Sequence, residues 1–130
     1  MNGPGIILDT HIYLWLRLEP GQLTKGEAAA IAEASICFVS TVVLWEIGTL
    51  SRIGRLPWNP KLFDVPEEMA LLTVEPRHCA RYATLPLLHR DPFDRMLVAQ
   101  AAVERLPLLT RDGPLQAYGQ QGLVTLLPTL

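Results

Sequence analysis

The chain has 130 residues, 49% of them hydrophobic and 18% charged, with a formal net charge of -2 and a pI near 5.9. That length holds one domain with one core, and the hydrophobic share excludes a disordered chain. The charge excludes a polybasic coat for nucleic acid, and the longest apolar run, broken by Ser40, Thr41 and Glu46, falls short of the roughly 18 residues a membrane helix needs.

Met1 to Gly5 lacks the basic start of a secretion signal, so a cytoplasmic protein is expected. Cys37 and Cys79 have neither CxxC spacing nor clustered histidines to complete a zinc site, and both read as buried thiols. The cations are two lysines, Lys25 and Lys61, and nine arginines. A planar guanidinium suits phosphate recognition, although a GC-rich coding sequence accounts for the bias as well.

In chain order, the apolar run Gly5 to Leu8 predicts a buried strand that delivers Asp9 to a buried helix over Thr10 to Leu18. Thr24 with Glu27 three residues on is a capping box, opening a helix that Ala28, Ala29, Ala30 and Ala32 sustain. Ile36 to Val39 reads as a second strand. Thr41 to about Ser51 is helical, with Val43, Ile47 and Leu50 on its inner stripe. Gly54 to Pro66, with Pro57, Pro60 and Pro66, predicts an irregular connection within the domain. Leu71 to Val74 is the candidate third strand, and Pro76 opens a helix to about Thr84. Asp91 and Pro92 are an N-cap and first helical residue before Phe93 to Glu104. Leu108 and Leu109 form a fourth strand, Leu115 to Tyr118 a helical turn and Val124 to Leu127 a last strand. Strands alternating with helices imply a parallel sheet covered on both faces.

Four carboxylates stand out: Asp9, Glu46, Asp94 and Asp112. Two follow apolar strands, one sits in the first turn of a helix, and one lies on or beside an apolar helix stripe. In open parallel sheets, function collects outside the carboxyl ends of the strands, where Asp9, Asp94 and Asp112 can meet; Glu46 joins them only if its helix passes across the same edge. Each also has a purely structural account. Asp9 can cap the helix it precedes, Asp112 before Gly113 is a common turn pair, and Asp94 favours the helix dipole as the third residue after an Asp91 N-cap. Glu46 needs a buried partner, and Arg95 or Arg111 is the competitor to a metal. A divalent cation explains the four together. Magnesium takes a few carboxylates and keeps waters, which suits in-line attack on a phosphodiester.

At these residues the chain resembles the PIN-domain proteins, in particular the VapC-like toxins. The resemblance rests on four blocks that span most of the chain: Leu8-Asp9-Thr10-His11, Leu44-Trp45-Glu46-Ile47, His89 through Ala101, and Leu109-Thr110-Arg111-Asp112. It implies a single PIN-like nuclease domain over residues 1 to 130, folded as a three-layer α/β/α sandwich around a mainly parallel sheet. It further implies a magnesium- or manganese-dependent endoribonuclease whose catalytic and metal-binding acids are Asp9, Glu46, Asp94 and Asp112. Thr10 and Thr110 match supporting hydroxyls, and Asp91, a second acid in the third block, could share or replace the role of Asp94. The implied partners are structured RNA, a small VapB-like antitoxin that covers the site and a second copy in a homodimer.

Arg90, Arg95 and Arg111 flank the acidic blocks as candidate RNA-phosphate ligands, or as neutralising neighbours of the acids. His11, His78 and His89 have no metal-pair spacing and receive no chemical role; His11, inside an apolar helix, reads as a core residue. Two rival functions follow from the same acids. A phospho-receiver domain would need adjacent acids after the first strand and a late lysine, but Thr10 follows Asp9 and Lys61 is the last lysine. A PIN scaffold that binds without catalysis is the other rival, and the presence of all four acids argues against it.

Overall fold

A computed structural model describes residues 5 to 127. Its centre is a five-stranded parallel sheet in the order β3-β2-β1-β4-β5, built from β1 (Ile6–Leu8), β2 (Cys37–Ser40), β3 (Met69–Leu72), β4 (Leu108–Leu109) and β5 (Leu126–Leu127). Ile6, Ile7 and Leu8 point alternately to opposite faces, yet all three are buried, so helices cover both sides of the sheet. These helices are α1 (Thr10–Leu18), α2 (Lys25–Glu33), α3 (Thr41–Arg52), α4 (Pro76–Thr84), α5 (Pro92–Glu104) and the short α6 (Gln116–Gln120). The result is the expected three-layer α/β/α arrangement.

From β1 the chain builds outward through β2 and β3, then crosses back to add β4 and β5 on the other side. The order therefore reverses between β1 and β4, and a crevice opens beyond their carboxyl ends. The register places Leu8 beside Leu109, and the Asp9 amide donates to the Leu109 carbonyl at 3.1 Å. Asp9 and the residues after β4 are neighbours because of this ladder, although about a hundred residues separate them along the chain.

Local start signals explain most of the helices. Thr24 and Glu27 make the predicted capping box, and Asp91 accepts from the Phe93 amide at 2.8 Å ahead of Pro92. Ser40 ends β2 and caps α3 through the Val42 amide at 3.0 Å. The Pro57 to Pro66 connection is irregular but fixed: a 3-10 turn over Pro60–Phe63 buries Leu62, whose carbonyl accepts from the Tyr13 hydroxyl at 2.6 Å.

The third strand lies two residues earlier than its sequence suggests. Met69 and Ala70 carry little strand propensity, yet they pair with Cys37 and Phe38, whereas Val74 leaves the ladder and donates to the Thr41 hydroxyl. β5 is likewise shorter than Val124 to Leu127. Cys37 is buried as expected, but Cys79 is exposed on α4. Among the described residues, no helix is long and apolar enough to cross a membrane.

Candidate metal and nuclease site

The carboxyl edge between β1 and β4 collects acids from four separate elements. Asp9 leaves β1 and is the N-cap of α1, accepting the Ile12 amide at 2.9 Å. It is buried, and burial is the main reason its pKa is raised; Asp112 adds to this, while the Thr110 hydroxyl, the Ile12 amide and the His11 charge oppose it. Capping is thus real, but Asp9 also faces another acid.

Glu46 lies midway along α3, half-buried, and accepts from the Thr10 hydroxyl at 2.6 Å. Its pKa is also raised, first by burial and then by the charges of Asp91 and Asp9, against the pull of Thr10 and His11. Neither arginine proposed as its partner serves that role. The Arg95 guanidinium is buried elsewhere, donating to the Tyr118 hydroxyl at 3.2 Å and the Leu85 carbonyl at 3.1 Å and lying 4.4 Å from the Tyr82 ring centroid. That burial also removes Arg95 from the candidate phosphate ligands. Asp94 and Arg95 are consecutive on α5, so they project about 100° apart, one to the edge and one into the protein.

Arg111 is committed as well. It grips the buried Glu27 with both arms of its guanidinium, the Nε contact being 2.8 Å, and donates to the Gln22 carbonyl at 2.9 Å. The pair holds the Glu27 carboxyl below its ordinary range. With its charge matched, Arg111 is a wall of the site rather than a free cation. Arg90 is exposed.

Asp94 projects from the first turn of α5, and its side chain is 14% exposed. Its carboxyl is pushed up to about 8, first by burial, then by Asp91, by Asp112 through a hydrogen bond and its charge, and by Glu46. Asp112 begins a 3-10 turn over Gly113–Leu115, but its side chain caps nothing; its amide instead donates to the Thr110 hydroxyl at 3.0 Å. The turn therefore accounts for the backbone of Asp112 and leaves the carboxylate for the crevice. Asp91 is divided between roles, since its Oδ1 caps α5 while its charge acts on both Asp94 and Glu46.

Two histidines complete the edge in ways their sequence positions did not reveal. His89 Nε2 lies 3.0 Å from Asp94 Oδ2, and the donor atoms of His89, Asp94 and Asp112 all fall within 4.8 Å of one another. The loop before an N-cap has no helical period, so no spacing pattern points to His89. His11 is exposed rather than part of the core, and with Asp9, Trp15, Arg111 and Asp112 it lines a cavity of about 270 Å³.

Hard carboxylate oxygens at a sheet edge, repelling one another in the absence of a cation, fit magnesium or manganese by donor chemistry. Donor atoms of Asp94 and Asp112 lie within 4.8 Å of each other, Asp9 adjoins Asp112, and Glu46 and Asp91 border Asp94. Thr10 and Thr110 hold the edge together by hydroxyl contacts to Glu46 and to the Asp112 amide.

The chain is similar to Ribonuclease VapC22 of Mycobacterium tuberculosis (strain ATCC 25618 / H37Rv), at 26% identity over 125 residues that cover 92% of this chain and 96% of the relative. Its fold is similar to that in the crystal structure of VapBC2 from Rickettsia felis bound to a DNA fragment from their promoter, with a TM-score of 0.70 at 14% identity, covering 95% of this chain and 97% of the other. VapBC-5 of Mycobacterium tuberculosis, a member of the VapBC family of toxin-antitoxin systems, gives 0.66 at 19% identity, covering 96% and 98%. The PIN domain family model matches residues 6–120, and with the acids of four elements gathered where the strand order reverses, the chain belongs to the PIN domain family.

Proposed function

We propose that this protein is a metal-dependent endoribonuclease acting as the toxin of a toxin-antitoxin pair, with residues 1 to 130 forming one nuclease domain. The observation that carries the reading is the crowding of the acidic edge: donor atoms of His89, Asp94 and Asp112 lie within 4.8 Å of one another, and burial with three neighbouring acids raises the Asp94 pKa. A fold pays for such like-charge crowding where a function requires it. Similarity to a ribonuclease toxin over most of the chain supports the same reading.

In this reading Asp9, Glu46, Asp94 and Asp112 hold magnesium or manganese, with Asp91 bordering the third ligand. When bound, the metal lowers the pKa of a coordinated water and neutralises charge developing on the phosphoryl oxygens. The protein's own work is positional. Thr10 fixes Glu46 by donating to Oε1, leaving Oε2 for the crevice. Thr110 fixes the Asp112 backbone, and the α1 cap fixes Asp9 on one oxygen. The Asp91 cap sets the first turn of α5 and thereby the direction of Asp94. Arg90, exposed within the third block, is suited to an RNA phosphate.

The partners follow from the same reading: RNA, a small VapB-like antitoxin and a second copy of the chain. An apolar groove of about 500 Å³, lined by residues including Trp45, Val74, Tyr82, Phe93 and Met96, supports association with protein. The deciding experiment compares RNA cleavage by metal-saturated and chelated protein. Cleavage with magnesium or manganese alone is expected, and equal cleavage in both would refute the metal-dependent reading. Expression should arrest growth, while Asp9→Asn at equal protein level should be tolerated; arrest by that variant would point to an effect other than cleavage.

A further inference from the structure

The cavity beside the acids has a second wall that the metal reading leaves unused. Its five lining residues divide into two carboxylates, Asp9 and Asp112, and three groups with flat faces, His11, Trp15 and Arg111. His11 and Trp15 are four residues apart on α1 and therefore share a helix face. Their ring centroids are 5.7 Å apart and their planes tilted by 44°, so neither ring covers the face of the other. Arg111 lies 4.0 Å from the Trp15 ring centroid, held there by Glu27 and the Gln22 carbonyl.

This wall is preorganised. Trp15 is partly buried against a guanidinium that cannot swing away, and His11 is exposed two residues after Asp9. A ring entering the cavity would meet aromatic surface without paying to order it. The charge balance favours a base over a phosphate at this wall, because the Arg111 cation is already matched by Glu27. What remains available is π surface, which every nucleobase can use.

We propose that His11 and Trp15, braced by Arg111, form the subsite that holds the nucleobase of a nucleotide next to the scissile phosphate. The inference rests on the ribonuclease reading. His11 and Trp15 are positioning residues: they orient the RNA so that its backbone crosses the carboxylate edge, and they move no proton.

The test uses a short single-stranded RNA containing one mapped cleavage site, together with matched RNAs in which a single base flanking that site is replaced by an abasic ribose. Single-turnover kcat/KM is measured with magnesium for the native protein, His11→Ala and Trp15→Leu. Removing one flanking base should slow the native protein about ten- to a hundredfold, the range for loss of one stacked base. Each variant should show a comparable loss on the intact RNA and little further loss on the abasic one. Full additivity of the two losses, or variants as fast as the native protein, overturns the subsite.

A binding measurement separates the subsite from the chemistry. In a Trp45→Phe, Trp58→Phe background, both positions being 68% exposed, RNA should quench the remaining Trp15 fluorescence and the abasic RNA should not. Quenching without cleavage leaves the subsite standing and removes the nuclease reading. Metal-dependent cleavage without base-dependent quenching does the reverse. Variants that cut RNA normally but escape inhibition by a co-expressed antitoxin assign the wall to protein contact and overturn the proposal.

Discussion

Two regions of this molecule gather polar groups between its helices and sheet, and they treat them in opposite ways. Beneath α4 and α5, the Ser40 hydroxyl donates to Gln100 Oε1 at 2.6 Å, Gln100 Nε2 reaches the Thr73 carbonyl, and buried His78 accepts the Glu75 amide while contacting Glu104 at 2.8 Å. Among the described residues, every fully buried side-chain polar atom has a partner. At the carboxyl edge, acid faces acid. The first arrangement is how a fold satisfies polarity for its own stability, whereas the second costs stability and is the crowding on which the proposed cation site rests.

The largest test of this contrast is to remove the charge. Asp94→Asn should lower metal-dependent RNA cleavage by more than about 100-fold, since even residues that merely support ligands cost 10- to 100-fold. Metal-free melting temperature should stay level or rise. If Asp94→Asn keeps its activity while Asp91→Ala loses it, the third ligand is Asp91.

Where an acid has a true partner, the sign reverses. Glu27→Gln removes one charge of the Arg111 pair and should cost about 2 kcal/mol, read by denaturant unfolding. Unchanged stability would mean that Arg111 is sustained by Trp15 and Gln22 alone. Within the satisfied network, Gln100→Leu strands the buried Ser40 hydroxyl and should also cost about 2 kcal/mol, without altering metal affinity. Loss of metal affinity in that variant would show that the two regions are coupled through the α3 cap. The smallest mutational effect is expected for Asp91→Ala, about 1 kcal/mol from the lost cap, with a milder fall in cleavage.

pH sharpens the same comparison. The folded protein holds the Asp94 proton up to about 8, whereas the unfolded chain releases it near 3.8. Between those values the folded state binds more protons, so this group's contribution to stability is full at the acidic end and declines as pH rises toward 8. Metal-free protein should therefore melt at a lower temperature at pH 8 than at pH 5.5. Asp94→Asn should flatten that slope, and a slope unchanged by the substitution would remove Asp94 as its source.

Most elements were legible because their boundaries carry local chemistry: the Thr24 and Glu27 capping box, the Asp91-Pro92 start, and strands ending in acids. The acids stood out only as a set: Asp9, Asp94 and Asp112 each have a structural account of their own, Glu46 needs a partner, and one cation accounts for all four together. Other features depend on tertiary context. Met69 and Ala70 become a strand only because β2 offers an edge. Arg95 looks like a neighbour of the acids in sequence, but one helix step turns it inward. His89 meets Asp94 through a loop, and Glu27 meets Arg111 from 84 residues away, so neither contact follows from spacing.

The reversal of strand order has a consequence for synthesis. Asp9 is made about a hundred residues ahead of its neighbour Asp112, which is delivered by β4 and cannot reach β1 until β4 has been made. A nascent chain that has not reached β4 carries three of the four acids and no closed edge. Within the proposed function, such a chain on the ribosome has no assembled centre with which to cut the RNAs around it, and an antitoxin has until β4 emerges to arrive.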